Sequence, residues 1–370
     1  MNRRAVRIGL AIAACLSSAC STDAEPIAAA PVAQAASAIR GFAPRPGRAR
    51  PLIAVVGENT YTELTDYVIP YAVLTESGVA DVVALATKAG PIRMLPSLTL
   101  SPQATVDEFD AAHPDGADYV IVPAVHAIED PALIGWVDAQ ARKGAAIVGI
   151  CDGAWVLAHA GLLEGRRATG HWFSFSDLEE KFPGTHWTRD TRYVADGPIV
   201  TTTGVTASIP ASLALVEAIA GSALARSLAD RLGVEDWSAE HRSEDFRLSA
   251  GDAWTAASNW LARWSHERIG VPLEPGVDEL ALALQVDALA RTYRSDVVSM
   301  SADAAPVRTR RGLIIVPDGT TDATSVDRTV APRPGDDAAR ALDETLVDIE
   351  HWYGRKTADF VALQLEYPRP

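Results

Sequence analysis

Short apolar runs alternate with segments of helical spacing through the first two-thirds of the chain, and that alternation constrains the fold more than any other feature. PLIAVVG (Pro51 to Gly57), VADVVALAT, GADYVIVPAV (Gly116 to Val125) and AAIVGI each read as a short buried strand. Between them, YVIPYAVLTESG and PALIGWVDAQARKG place apolar residues at helical spacing and close on Gly78 and Gly144. TRYVADGPIVTTTG predicts two β segments joined at Asp196–Gly197, and PASLALVEAIAG a helix closed by Gly221. Strands alternating with helices predict a three-layer α/β fold, a mainly parallel sheet with helices on both faces. No internal repeat is evident.

Beyond about residue 222 the pattern changes. SALARSLADRLG, DAWTAASNWLARW, VDELALALQVDALARTY and ALDETLVDIEHWYG read as helices, and RRGLIIVPDG (Arg310 to Gly319) contains a strand. Residues 222–370 are therefore expected to form a mostly helical extension or a small second domain. Trp254, Trp260 and Trp264 fall largely on one helical stripe, which predicts core packing. A ligand-stacking face is the alternative.

The first twenty residues read as a secretion signal. MNRRAVR is a basic n-region, and IGLAIAACLSSAC is an apolar run, too short to span a bilayer comfortably, that ends in small residues. The run is similar to a bacterial lipoprotein signal, which predicts lipidation at Cys20, with Cys15 the alternative site and ordinary signal cleavage the plainer reading. Residues 21–50, rich in Ala, Pro, Arg and Ser, are expected to be a flexible linker. The folded body is expected to begin at residue 51, its first domain covering 51–221, on the extracytoplasmic side. Hydrophobic residues make up 48% of the chain, enough for a sizeable core. Net charge is −15, and residues 1–50 carry seven basic and two acidic side chains, so the body is more acidic still. Such a surface repels phosphate backbones and argues against nucleic acid as a partner.

With Cys15 and Cys20 inside the signal, Cys151 stands alone, and no intrachain disulfide is expected. It lies in GICDGAW, after the strand AAIVGI and before the helical segment WVLAHAGLL. A cysteine pinned between a strand end and a helix start, with Gly153 allowing the turn, has the geometry of a nucleophile elbow. Helix N-terminal amides favour the thiolate, so a lowered thiol pKa is expected, although the neighbouring Asp152 opposes it. No HxxxH or CxxC spacing is present, and neither a metal nor another cofactor is expected. His126 follows the third strand, where a metal role would need several further ligands to converge; His159 reads as a packed or solvated residue, and His186 and Trp187 as loop residues without chemistry.

GICDGAWVLAHAGLLEGRRATGHW, together with TELTDYVIPYAVL upstream and YVADGPIVTTTGVTASIPASLALVEAIAG downstream, resembles the ThiJ/PfpI superfamily of the class I glutamine-amidotransferase-like fold. The resemblance covers residues 51–221 and is nearest to the amino-terminal domains of AraC-family regulators and to isocyanide hydratase. It implies that Asp66 is the acid held against the cysteine, able to share or move a proton. The plainer reading of Asp66 is the N-cap of a helix beginning at Tyr67. The resemblance places His171 near the cysteine, as an activating residue or a structural one. It also implies an oxyanion turn after the third strand, where Ala124 and Val125 stand in place of the usual glycines; a left-handed backbone there would be strained. PfpI-type peptidases carry a histidine after the cysteine and isocyanide hydratases a threonine, so Asp152 weakens both the peptidase and the strict hydratase assignments.

Two functions remain. One is a cysteine-dependent lyase or hydrolase acting on a small electrophile, with Cys151 attacking and Asp66 moving the proton. The other is a non-enzymatic ligand-sensing domain. The expected partners are a small molecule, the membrane through the lipid anchor and, as an option, a second copy of the chain in a homodimer.

Overall fold

The computed structural model describes residues 39–44 and 47–368. The signal, Cys15, Cys20 and most of the expected linker lie outside them. The linker's last residues are docked rather than free: Ile39 is buried, and the Arg40 carbonyl accepts a hydrogen bond from Tyr119 Oη at 2.9 Å.

The first half contains β1 (Leu52–Gly57), β2 (Thr62–Glu63), α1 (Leu64–Ser77), β3 (Asp81–Ala86), β4 (Ile92–Leu95), β5 (Thr99–Ser101), β6 (Ala104–Thr105), α2 (Val106–Ala112), β7 (Tyr119–Val122) and α3 (Pro131–Arg142). It continues through β8 (Ala146–Gly149), α4 (Gly153–His159), β9 (Arg167–Ala168), α5 (Phe175–Lys181), β10 (His186–Trp187), β11 (Tyr193–Asp196), β12 (Ile199–Thr202), α6 (Ser208–Ala220) and α7 (Ser222–Leu232). Seven strands make one sheet in the order β11-β12-β8-β7-β1-β3-β6, parallel except for the β11–β12 hairpin. Helices cover both faces, as the alternating pattern predicts. The central strands are buried throughout because both faces are covered, which is why they read as continuous apolar runs.

The second half contains α8 (Ala250–Leu261), β13 (Glu267–Pro272), α9 (Glu279–Ala290), β14 (Ser295–Ser301), β15 (Val307–Arg308), β16 (Ile314–Ile315), β17 (Gly319–Thr320), β18 (Arg328–Thr329), α10 (Ala341–Tyr353) and α11 (Arg355–Gln364). It is less purely helical than expected, since β17-β14-β13-β18 form a second, all-parallel sheet. The two halves share one hydrophobic core. Helix α1 packs against α9, and each is buried on nearly every side because a sheet lies behind it and a helix in front. A small five-stranded sheet, β15-β16-β5-β4-β2, joins the halves through the antiparallel pair β5–β16.

The tryptophan stripe does not enter this core. Trp254 is 73% and Trp264 88% exposed, and Trp260 lies under the Arg263 guanidinium. A helical stripe shows that side chains share a face, not which way the face points. No described helix is long and apolar enough to cross a membrane.

Candidate functional site

Strand β8 runs into a tight turn at Cys151. The Ile150 N–H donates to the Val122 carbonyl at 2.9 Å, and the Gly153 N–H returns to the Ile150 carbonyl at 2.7 Å. Cys151 itself sits at φ +54°, a left-handed backbone that costs a non-glycine residue roughly 1–2 kcal/mol and concentrates at functional sites. Its amide donates to Thr202 Oγ1 at 3.1 Å, which pins the turn to the end of β12. A Cβ at position 153 would overlap the Val122 carbonyl oxygen, so only glycine lets the elbow pass beside β7. The elbow expected from the sequence is present. Its sulfur is enclosed, with Cys151 5% exposed.

Asp66 is buried in the first turn of α1 and does not cap it; the cap position belongs to Glu63, whose side chain makes no capping bond. The helix starts three residues earlier than the apolar pattern suggests, and this turns Asp66 inward. Asp66 Oδ2 accepts the Ala124 N–H at 3.1 Å, while Oδ1 is buried without a hydrogen-bond partner among the described residues. Burial is the largest influence on this carboxyl. The Ala124 N–H opposes it, Asp287 adds to it, and the outcome is a pKa pushed up to about 7.

Beside it lies an ion cluster that spans the two halves. Arg291 Nη2 is 2.5 Å from Glu63 Oε1, and Arg291 Nε is 2.6 Å from Asp287 Oδ1. Thr65 Oγ1 donates to Asp287 Oδ2 at 3.2 Å. Burial raises Glu63 well above the usual carboxylate range, and Arg291 offsets part of the rise.

The thiol departs from expectation. Burial raises the Cys151 pKa well above its ordinary value, and the charges of Asp66, Asp152 and Glu63 raise it further; the Asp152 backbone amide and the Arg291 charge pull the other way. Helix α4 has just seven residues, and its N-terminal field is outweighed by desolvation and three carboxylates.

Asp152 accepts a hydrogen bond from Ser174 Oγ at 2.8 Å. Burial raises its pKa, and His171 and Ser174 counter the rise. His171 therefore acts on Asp152, and its Nε2 is 4.0 Å from Glu366 Oε2. Glu366 Oε2 in turn accepts the Gly204 N–H at 2.6 Å, and its Oε1 is 2.8 Å from His241 Nε2.

Ala124 and Val125 avoid the left-handed backbone, so the strain anticipated there does not arise. The Ala124 amide is committed to Asp66, and its carbonyl accepts the Glu63 N–H at 2.9 Å. His126 holds Tyr61 through its backbone, and His159 stacks on Trp155. No group of three or more His, Cys, Asp or Glu among the described residues is placed to hold a metal. The structure thus joins Cys151, Asp66, Asp152 and Ala124, and sets His171 one residue further out. Sequence reading missed Thr202, Glu63, Asp287, Arg291, His241 and Glu366. Thr202 sits in the TTTG string that ends β12; the distant charged residues carry no local signal.

The DJ-1/PfpI family model matches residues 52–218. The chain is 40% identical over 101 residues to the HTH-type transcriptional regulator CdhR of Pseudomonas aeruginosa, covering 27% of this chain and 30% of that one. It is 30% identical over 156 residues to an isonitrile hydratase of Pseudomonas putida, covering 41% and 65%. It therefore spans less than two-thirds of the length of either relative. Among solved structures, Drosophila melanogaster DJ-1beta matches with a TM-score of 0.45 at 19% identity, over 50% of this chain and all of that one.

Proposed function

Residues 52–218 form a DJ-1/PfpI family domain, and on that premise we propose that the chain is an enzyme in which the Cys151 thiol adds to a small neutral electrophile while Asp66 moves the proton. The observation that carries this reading is the Asp66 carboxyl: one oxygen is anchored on Ala124, the other is buried without a partner, and the group is poised near pH 7 beside a strained elbow cysteine. A carboxyl at that value can both take and return a proton at neutral pH. The thiol is held neutral, so it must lose its proton as it attacks rather than beforehand.

The similarity to isonitrile hydratase supports an isonitrile as the first substrate class to try. The sulfur would bond to the terminal carbon while Asp66 takes the thiol proton and returns it to that carbon, giving a thioimidate. Water then adds to the same carbon, the carbon–sulfur bond breaks, and an N-substituted formamide leaves with the thiol restored. The test is product analysis by mass spectrometry with small isonitriles and aldehydes. Formation of the hydrated product by the wild type and not by Cys151→Ala is expected; equal rates for the two overturn the reading.

The committed Ala124 amide favours a second reading. With that donor taken, the site could bind without turnover, as a ligand-sensing domain, which accords with the similarity to a regulator. Calorimetric binding that survives in Cys151→Ala, with no product from the wild type, would select it. For location, the basic n-region and short apolar run support an extracytoplasmic lipoprotein anchored through Cys20. An unmodified mature amino terminus beyond residue 20 overturns that assignment.

A further inference from the structure

The elements after residue 266 repeat those before residue 106 at one spacing. The shift that carries Leu52, the first residue of β1, to Glu267, the first of β13, also carries Leu64 of α1 to Glu279 of α9 and Ala104 of β6 to Gly319 of β17. Strand pairings repeat with it. The pairs Ile92↔Leu100 and Arg93↔Thr99 recur as Val307↔Ile315 and Arg308↔Ile314, and Leu85↔Ala104 recurs as Met300↔Gly319. The strings DVVALATKAGPIR (Asp81 to Arg93) and DVVSMSADAAPVR (Asp296 to Arg308) keep the same DVV, alanine, proline and arginine positions.

A second block repeats at a different spacing. A 3-10 turn (Val205–Ala207), α6, Gly221 and α7 recur as Ala338–Arg340, α10, Gly354 and α11. Gly221 has φ 89° and ψ 162°, and Gly354 has φ 87° and ψ 157°. Between the blocks, residues 321–337 stand where the first copy has 106–204. Strand β18 lies beside β13 as β7 lies beside β1, both parallel, but the second copy has no counterpart of β8, the elbow or the cysteine.

The copies meet about a two-fold axis. Leu100 pairs with its own counterpart, Ile315, and α1 packs on its counterpart, α9. Gly204 lies against Glu366, and the counterpart of Glu366, Gly233, lies against the counterpart of Gly204, Asp337. The axis maps the Cys151 site onto a cleft of about 270 Å³ lined by Glu76, Arg231, Arg310, Arg311 and Asp337. At the equivalent positions Ala281, buried and outside the cleft lining, stands in place of Asp66, and Glu76, within that lining, in place of Arg291.

We infer that residues 267–366 are a second copy of the domain's framework without a catalytic centre, which takes the place of a partner subunit within one chain and completes the Cys151 site with Arg291 and Glu366. Both are positioning residues. Arg291 binds Glu63 and Asp287, which keeps two further carboxylate charges from acting unopposed on Asp66 and the thiol. Glu366 holds the Gly204 amide and His241 from a left-handed backbone, φ 54°, at the position where the first copy closes α7 with Gly233 at φ 73°. A glycine would relieve that backbone, so the glutamate is kept there against its own conformational preference.

Two measurements on the full chain test the inference. The first is a crosslink between the partnered Ser101 and Ile314, as Ser101→Cys with Ile314→Cys. The oxidised double variant is expected to run as a single chain on a non-reducing gel; a two-chain band absent from either single variant overturns the in-chain arrangement. The second is the pH profile of Cys151 alkylation. Arg291→Met is expected to raise its midpoint by about one unit, the size of a single close charge effect, and Arg291→Lys to restore most of it. Arg311→Met breaks the mirrored cluster and is expected to lower the melting temperature without moving the midpoint. An unmoved midpoint in Arg291→Met, or an equal shift in Arg311→Met, overturns the positioning role. Thiol chemistry is read here without turnover, so a failed substrate screen counts against the enzyme reading alone.

Discussion

In the first copy, α1 begins behind Glu63, whose carboxylate makes no cap and reaches Arg291 instead, with Asp66 buried one turn on. In the second, α9 begins behind Asp278, whose carboxylate caps the helix by accepting the Leu280 and Ala281 amides, and an alanine fills the place of Asp66. The same helix start is closed for stability in one copy and left open for chemistry in the other. An N-cap is worth about 1 kcal/mol, and α1 forgoes it while sitting in the same kind of sheet-and-helix sandwich. Packing is thus carried by the framework that both copies share, and the chemistry by a few residues that only one retains.

The largest expected effect comes from giving the first copy the residue of the second. Asp66→Ala should lower turnover by about 10²–10⁴-fold, the usual worth of a general acid–base group. A smaller loss, measured as kcat on whichever substrate is found, would mean that Asp66 is no more catalytic than Ala281. The reverse exchange, Ala281→Asp, places a carboxylate among fully buried residues without a basic partner. It should cost about 3 kcal/mol in urea unfolding at pH 8 and less at pH 5, where protonation removes the charge.

A third effect separates the copies by pH. Asp66 is raised in the folded protein, so between its ordinary value near 4 and about 7 the folded state holds a proton that the unfolded chain releases. Its contribution to stability is present in full below about pH 4 and is lost as pH rises toward 7, at a slope of up to about 1.4 kcal/mol per unit. Asp66→Asn should remove that slope, whereas Ala281→Asn should leave it in place. If unfolding free energies of wild type and Asp66→Asn run parallel across the window, the carboxyl is ionised as it would be in water.

The smallest effect should be the same in both copies. Gly221 and Gly354 share a left-handed junction with open space around the Cα, so each replacement by alanine should cost about 1 kcal/mol. Unequal melting-temperature shifts would show that the two junctions are not equivalent.

Much of the first half is readable in the chain because its signals are local. The elbow is spelled by AAIVGI, Cys151 and Gly153 within a few residues, and the parallel sheet by apolar runs alternating with helices. The second half hid its sheet because β13, read from ERIGVP, alternates weakly, and because the repeat of DVVALA as DVVSMS is diluted by unrelated residues on either side. The tryptophan stripe illustrates the same limit, since its spacing was visible and its exposure was not.

The sequence by itself determined the strand–helix alternation and the tight turn at Cys151, which depend on residues near one another or on a pattern repeated along the chain; Asp66 was suggested by the family resemblance alone. Only the tertiary structure decided the sign of the thiol's shift, the partner of His171 and the arrival of Arg291 and Glu366. Those depend on burial and on charges brought together from segments far apart in the chain, and Coulomb energy and desolvation follow distance in space rather than distance in sequence.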